Sequence, residues 1–208
     1  MNKATLQPTL QRRPLVKKIL DGADGNLLVI AGLGSSNWDI TAAGDRPLNM
    51  PLWGSMGAPV GMGLGLAMAQ PTKRVLVITG DGDMLMSLGS LATVATQMPE
   101  NLAIVVLDNE KFGETGNQAT HTSPRNNGPT DSGAGTDLAM IARGCGIADA
   151  TTVREAGEVA DLVKDVRTKK GPVFRLVKVM VEKLEFVMPP QDGAHLKDRF
   201  RQALLGHP

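Results

Sequence analysis

The chain has 208 residues, a formal net charge of +1 and 42% apolar residues, enough for one α/β domain, or two small ones, with a buried core. A charge this close to neutral, with Lys and Arg spread along the chain, argues against a nucleic-acid binder, which carries a basic face. No apolar stretch approaches the ~20 residues that span a bilayer. The start of the chain is polar, and the single Cys145 excludes an internal disulfide and any Cys-rich iron–sulfur or zinc site. The expectation is a soluble cytoplasmic protein without a membrane segment. Tyr is absent, Phe and Trp are few, and the 24 glycines concentrate between Gly32 and Gly135, as in folds that bring backbone close to a ligand.

Apolar runs alternate with helix-like segments, which predicts a single α/β domain: a mostly parallel open sheet with helices on both faces. In chain order the strands are 27–31, 74–79, 102–107 and 173–179. The second and third are almost uniformly apolar, as expected of strands covered on both faces. Helices are expected over Pro59–Ala69, rich in small residues, over Asp83–Gln97, and over Thr136–Arg143 with a Thr cap and a Gly144 stop. Thr152 and Glu155 form a capping box ahead of an apolar face of Ala156, Val159, Ala160 and Val163. Residues 110–135 read as one long polar, Gly-containing loop, a feature that is functional or disordered in compact domains. The domain is placed at 1–188. After Pro189-Pro190, residues 189–208 form a helical tail with Leu196, Phe200, Ala203 and Leu204 at helical spacing, suited to cap its own domain or dock on a partner.

Two strands end in polar residues that carry chemistry. The second runs into Gly80-Asp81-Gly82-Asp83 and the third into Asp108-Asn109, so both sites lie at carboxyl ends of strands, where open α/β sheets bind ligands. Gly80 and Gly82 permit a sharp turn and present N–H groups at a helix start, which favours a phosphate. Asp81 and the Asn109 side-chain oxygen are hard ligands suited to Mg²⁺ shared with a diphosphate. A simple strand-to-helix turn is the alternative.

Gly80-Asp-Gly82 followed by Asn109 resembles the signature of thiamine-diphosphate enzymes. The resemblance implies that Asp81, Asn109 and the carbonyl of Lys111 hold the metal. Trp53-Gly54-Ser55-Met56-Gly57 resembles the segment that grips the aminopyrimidine: Gly54 would offer its carbonyl to the 4′-amino group and Met56 would wedge beneath the cofactor. Taken alone, Met56 also reads as ordinary core. Gly34-Ser35-Ser36 sits where family members place hydroxyl donors to the diphosphate, which makes Ser35 a candidate, although such serines also read as plain loop. Gly113 and Thr115 are further candidates for the phosphates.

Within that family the stretch from about residue 10 to 180 is similar to the small, beta-type subunit of sulfopyruvate and phosphonopyruvate decarboxylases. The likeness runs from Arg46-Pro47 through Gly54–Gly57, Gly80–Gly82, Leu88–Thr93 and Leu107–Asn109 to Thr115-Gly-Asn-Gln118. One residue departs from the pattern: Asp83 stands where the family has Ser. A carboxylate there repels phosphates unless it points away, as a helix cap or towards the metal shell. The resemblance implies thiamine diphosphate and Mg²⁺ as cofactors, and a small 2-oxo acid as substrate. It also implies a hetero-oligomer in which a second subunit brings the pyrimidine-binding domain and the activating Glu. Carboligation of the acetolactate synthase type shares the same cofactor site and stays open. So does a non-catalytic nucleotide-binding module, although Gly61–Gly65 falls inside a helix rather than between strand and helix. His195 and His207 read as surface groups, while His121, Lys111 and Arg125 share the long loop and are candidates to meet an anionic substrate.

Overall fold

A computed structural model of the chain describes residues 8–123 and 135–207. In chain order the elements are α1 (Arg12–Leu20), β1 (Leu27–Ala31), α2 (Ser35–Ala42), β2 (Asn49–Pro51), α3 (Ala58–Ala69), β3 (Arg74–Gly80), α4 (Asp81–Leu85) and α5 (Gly89–Gln97). They continue with β4 (Leu102–Asp108), β5 (Lys111–Phe112), β6 (Gln118–Ala119), α6 (Leu138–Gly144), β7 (Asp149–Val153), α7 (Val159–Thr168), β8 (Val173–Lys178) and α8 (Gly193–Leu205). Six strands form one parallel sheet in the order β2-β1-β3-β4-β8-β7.

The centre of the sheet follows directly from composition. All five residues of β1 and all seven of β4 are buried, and apart from the closing Asp108 of β4 they are apolar, so both strands are covered by helices on both faces. One core cluster gathers Leu64 of α3, Leu91 of α5 and Ala139 of α6 against one face. The other gathers Leu15 of α1, Ile40 of α2 and Leu162 of α7 against the opposite face. Because β2 lies on one side of β1 and β3 on the other, the chain reverses its winding direction there. That opens a crevice outside the carboxyl ends of β1 and β3.

Several local expectations are corrected. The helix expected over 83–97 is two: α4 ends in a turn where Met86 N–H bonds Asp83 O and Ser87 N–H bonds Met84 O, and α5 restarts at Gly89. The Ser90 hydroxyl donates to Ser87 O at 2.6 Å, a local side-chain bond that competes with helix continuation. Before α6 the cap is Asp137, which accepts from Met140 N–H, since Thr136 N–H is spent on His121 O. α6 runs to Gly144, with Cys145 as its C-cap, and Gly146 follows with φ of 109°. Thr152 is not a cap but a strand residue paired with Leu176; the capping box is Glu155 with Glu158. The buried face of α7 is accordingly Val159, Leu162 and Val166, and Ala156 and Ala160 are exposed. Within the expected loop, β5 and β6 pair antiparallel around a tight turn at Gly113–Thr115. Arg125 lies outside the described residues.

The tail returns to the domain. Leu196 and Phe200 of α8 are buried, Arg199 grips Asp45 with two bonds of 2.6 and 3.0 Å, and Trp53 Nε1–H donates to Pro190 O at 2.9 Å. Among the described residues no helix is long and apolar enough to cross a membrane.

Candidate functional site

One cleft opens at the carboxyl end of the sheet. Ser35, Met56, Gly80, Asp81, Gly82, Asp83, Asn109, Lys111, Gly113 and Thr115, ten positions singled out from sequence, line it together. Gly54 and Ser55 do not line it; they form an exposed turn beside Met56. Three backbone turns converge on the cleft. They are the start of α2 after Gly34, the start of α4 after Gly80, and the turn at Gly113–Thr115. Each presents N–H groups that lack intrahelical partners, the requirement for holding a phosphate. Ser35 is the first residue of α2 rather than loop.

Two glycines let side chains close in. The ring of Phe112 lies so near Gly82 that a Cβ there would stand 2.6 Å from it, so the turn after β3 admits only glycine. A Cβ at Gly32 would run into the carboxylate of Asp83.

That contact explains the departure at Asp83. Its Oδ1 accepts from Gly57 N–H and its Oδ2 from the Thr79 hydroxyl, each at 2.5 Å. The carboxylate thus ties the end of β3 to the Gly54–Gly57 turn, with both oxygens engaged by the protein. It neither caps α4 with its side chain nor stands free towards a phosphate.

Asp81 is buried, and its Oδ2 accepts from Thr120 at 2.5 Å and Thr122 at 3.0 Å. Thr122 Oγ1 also lies 2.8 Å from Asp108 Oδ1, so its single proton is shared between the two carboxylates, and Lys178 Nζ sits 2.6 Å from Asp108 Oδ2 and 2.9 Å from Glu110 Oε1. Burial lifts Asp81 to about 6, helped by the Asp108 charge and opposed by the two threonine hydroxyls. Burial alone would lower Lys178, but Asp108 and Glu110 outweigh it and leave the amine raised. Asn109 Oδ1 accepts from Lys111 N–H at 3.0 Å, which holds the amide at the end of β4 and turns the chain into β5.

These donors fit a hard cation. Among the described residues no group of three His, Cys, Asp or Glu side chains could hold a metal. Asp81, the Asn109 oxygen and a backbone carbonyl at Lys111 would supply oxygen donors only. Such a set suits Mg²⁺ completed by phosphate oxygens and water. A carboxylate lifted towards neutrality by burial beside another carboxylate is one that a cation would relieve.

The family model described as thiamine pyrophosphate enzyme, C-terminal TPP binding domain, matches residues 34–177. The chain belongs to the thiamine pyrophosphate enzyme family. It is 38% identical over 142 residues to the sulfopyruvate decarboxylase subunit beta of Methanocaldococcus jannaschii, covering 68% of this chain and 70% of that one. It is 32% identical over 197 residues to the subunit of the same name from Methanothermobacter thermautotrophicus, covering 95% and 97%. The fold is similar to that of benzoylformate decarboxylase from Polynucleobacter necessarius, with a TM-score of 0.65 at 17% identity over 88% of this chain and 36% of that one.

The cofactor of this family is thiamine diphosphate. The sequence reading missed several residues around the cleft. Arg12, Met86, Phe112 and Glu114 also line the cleft, and Asp108, Thr120, Thr122 and Lys178 support Asp81. The spacing of Thr120 and Thr122, alternate residues following β6, puts both hydroxyls on one side and was the available signal. The alternative of Met56 as core fails, since it is 56% exposed. His121, His195 and His207 are exposed, and none of them lines the cleft.

Proposed function

We propose that the chain is the cofactor-binding subunit of a thiamine-diphosphate-dependent decarboxylase. Its substrate would be a 2-oxo acid with an anionic 3-substituent, 3-sulfopyruvate or phosphonopyruvate, and its products the aldehyde and CO₂. The observation that carries the reading is the placement of Asp81 and Asn109 just past the ends of adjacent strands, beside three turns that line one cleft. When bound, thiamine diphosphate supplies the electron sink for loss of CO₂. In this reading Asp81, Asn109 and the Lys111 carbonyl hold Mg²⁺ against the diphosphate. Ser35, Gly80, Gly82, Gly113 and Thr115 cradle its oxygens, and the N–H of Asp83 can join them although its side chain is engaged elsewhere.

Gly54, Ser55 and Met56 would meet the aminopyrimidine. They lie exposed at the rim, with Met86 beside them at 57% exposure, as expected of a surface completed by a second subunit. That subunit would carry the pyrimidine domain and the activating Glu. The names of the two relatives, each a subunit beta, support a partner for this chain as well.

Isothermal titration of the purified chain with thiamine diphosphate, with and without Mg²⁺, tests the site; NAD is the control ligand. Magnesium-dependent binding is expected, and binding of NAD instead would overturn the reading. Product analysis on the assembled enzyme with sulfopyruvate, phosphonopyruvate and pyruvate then separates decarboxylation from carboligation. Robust turnover by the chain alone would refute the need for a partner.

A further inference from the structure

Arg12 is a buried cation with no assigned purpose. It begins α1, is 6% exposed, and lines the same cleft as Asp81 and Ser35. The chain delivers it there by pairing Leu10 with Val179, directly beyond β8, where Met180 N–H bonds Leu10 O. Glu182 accepts its backbone N–H at 2.8 Å.

The guanidinium is anchored from one side only. Its Nε lies 2.6 Å from Oδ2 of Asp39, a fully buried carboxylate that also takes Arg13 Nε at 3.1 Å. One carboxylate is therefore shared between two guanidiniums. Arg13 uses its terminal nitrogen on Glu185 O, at 2.8 Å. Among the described residues no hydrogen bond takes the terminal Nη donors of Arg12. The carboxylates nearest the metal end are engaged: Asp83 with Gly57 and Thr79, Asp81 with Thr120 and Thr122. Glu114, the other carboxylate of the cleft, packs against Gly34 at the start of α2.

The Nη atoms, unlike Nε, are not sealed from the cleft, and a planar fork of N–H groups there matches two oxygens of a tetrahedral oxyanion. We propose that Arg12 is a binding residue for such an oxyanion, with Asp39 as the positioning residue that aims its fork into the cleft. The assignment rests on the proposed thiamine diphosphate site. The shared chemistry has two possible sources there: the phosphate of the cofactor, or the sulfonate or phosphonate of the substrate.

Calorimetry on the full-length chain with Mg²⁺ has one arm for each source. The first titrates thiamine diphosphate into the wild type, Arg12→Lys and Arg12→Met. The second titrates sulfoacetate into each chain after loading with thiamine diphosphate. Loss of a charge-assisted fork weakens binding by about 10- to 100-fold. A loss of that size for Arg12→Met in the first arm, with part retained by Arg12→Lys, assigns the fork to the cofactor. A loss confined to the second arm assigns it to the substrate anion.

Wild-type affinity of Arg12→Met in the first arm, with no Arg12-dependent sulfoacetate binding in the second, overturns the proposal. If Arg12→Met does not fold, the double variant Arg12→Met/Asp39→Asn removes both charges together and is read the same way. A wild-type chain that fails to bind thiamine diphosphate sinks the underlying site instead, a result distinct from an Arg12 variant that binds it normally.

Discussion

The two ends of the cleft are built differently. At the proposed metal end the side chains are held by one another. Asp81 is held by Thr120 and Thr122, Thr122 by Asp108, and Asp108 by Lys178, all within one buried polar network. At the other end Gly54, Ser55, Met56 and Met86 stand exposed, and the segment is tied at its two ends, by Trp53 to Pro190 O and by Gly57 N–H to the Asp83 carboxylate. One end is a buried network of hydrogen bonds and an ion pair; the other is an exposed lip. In the proposed reading the internal contacts hold one metal ligand, and the cofactor's other half would be met by a second subunit. Substitutions at the two ends should accordingly part into those that change the chain itself and those that change only what it binds.

The largest effect is expected at Asp81. Asp81→Asn removes a proposed ligand, so magnesium-dependent thiamine diphosphate binding should fall by more than the ~10–100-fold typical of losing an outer-shell partner. The same variant should not destabilise the ligand-free fold, because burial and Asp108 already disfavour the ionised carboxylate. The sign in pH follows. With the folded value raised to about 6, the native chain keeps a proton that the unfolded chain releases near 4. The contribution of Asp81 to stability is thus full below about 4 and is lost as pH rises towards 6, while Mg²⁺ affinity increases over the same window. Melting temperatures of wild type and Asp81→Asn across pH 4–7, with and without Mg²⁺, check both halves. Equal Mg²⁺ affinity at pH 5 and 7 in the wild type would remove Asp81 from the ligand set.

Next in size is Lys178→Met. It strands Asp108, which is fully buried, without its cation, and breaking such a pair costs about 3–5 kcal/mol. Chemical denaturation should show that loss in the ligand-free chain. A decrease below about 1 kcal/mol would mean that the network is not the support it is taken to be.

How far sequence alone reached depends on the range of the interaction. The central strands were legible because burial on both faces leaves a purely apolar run, and Gly80-Asp81-Gly82 with Asn109 was legible because each lies where such a run ends. The three-residue edge strand β2 and the Thr-containing β7 were not, being too short or too polar to carry a period. Asp83 looked anomalous because its partners, Thr79 and Gly57, are set by how β3 meets α3. Arg12 gave no signal either. It reads as one charge in a charged helix until folding brings Asp39 to it from α2 and β8 carries it to the cleft.

Thr122→Val probes the same network more gently. It deletes a hydroxyl that bonds Asp81 at 3.0 Å and Asp108 at 2.8 Å while keeping the side-chain shape. The expected cost is about 1–3 kcal/mol of stability, together with a roughly tenfold weaker apparent Mg²⁺ affinity from a less firmly held carboxylate. Thr122→Ser should restore most of the affinity, since it returns the hydroxyl. Unchanged metal affinity in Thr122→Val, measured by titration, would make Thr122 a packing residue and no more.

The smallest effect on the chain itself is expected at the exposed lip. Met56 is 56% exposed, so Met56→Ala should alter the stability of the isolated chain by less than about 0.5 kcal/mol, within the range of ordinary surface changes. Its consequence should appear only when the cofactor is clamped in the assembled enzyme. There the lost apolar contact would be worth about 1–2 kcal/mol. The contrast between a silent melting curve and weakened cofactor retention would mark Met56 as a residue that waits for its ligand and partner. A destabilised isolated chain would instead return it to the core and erase the difference between the two ends of the cleft.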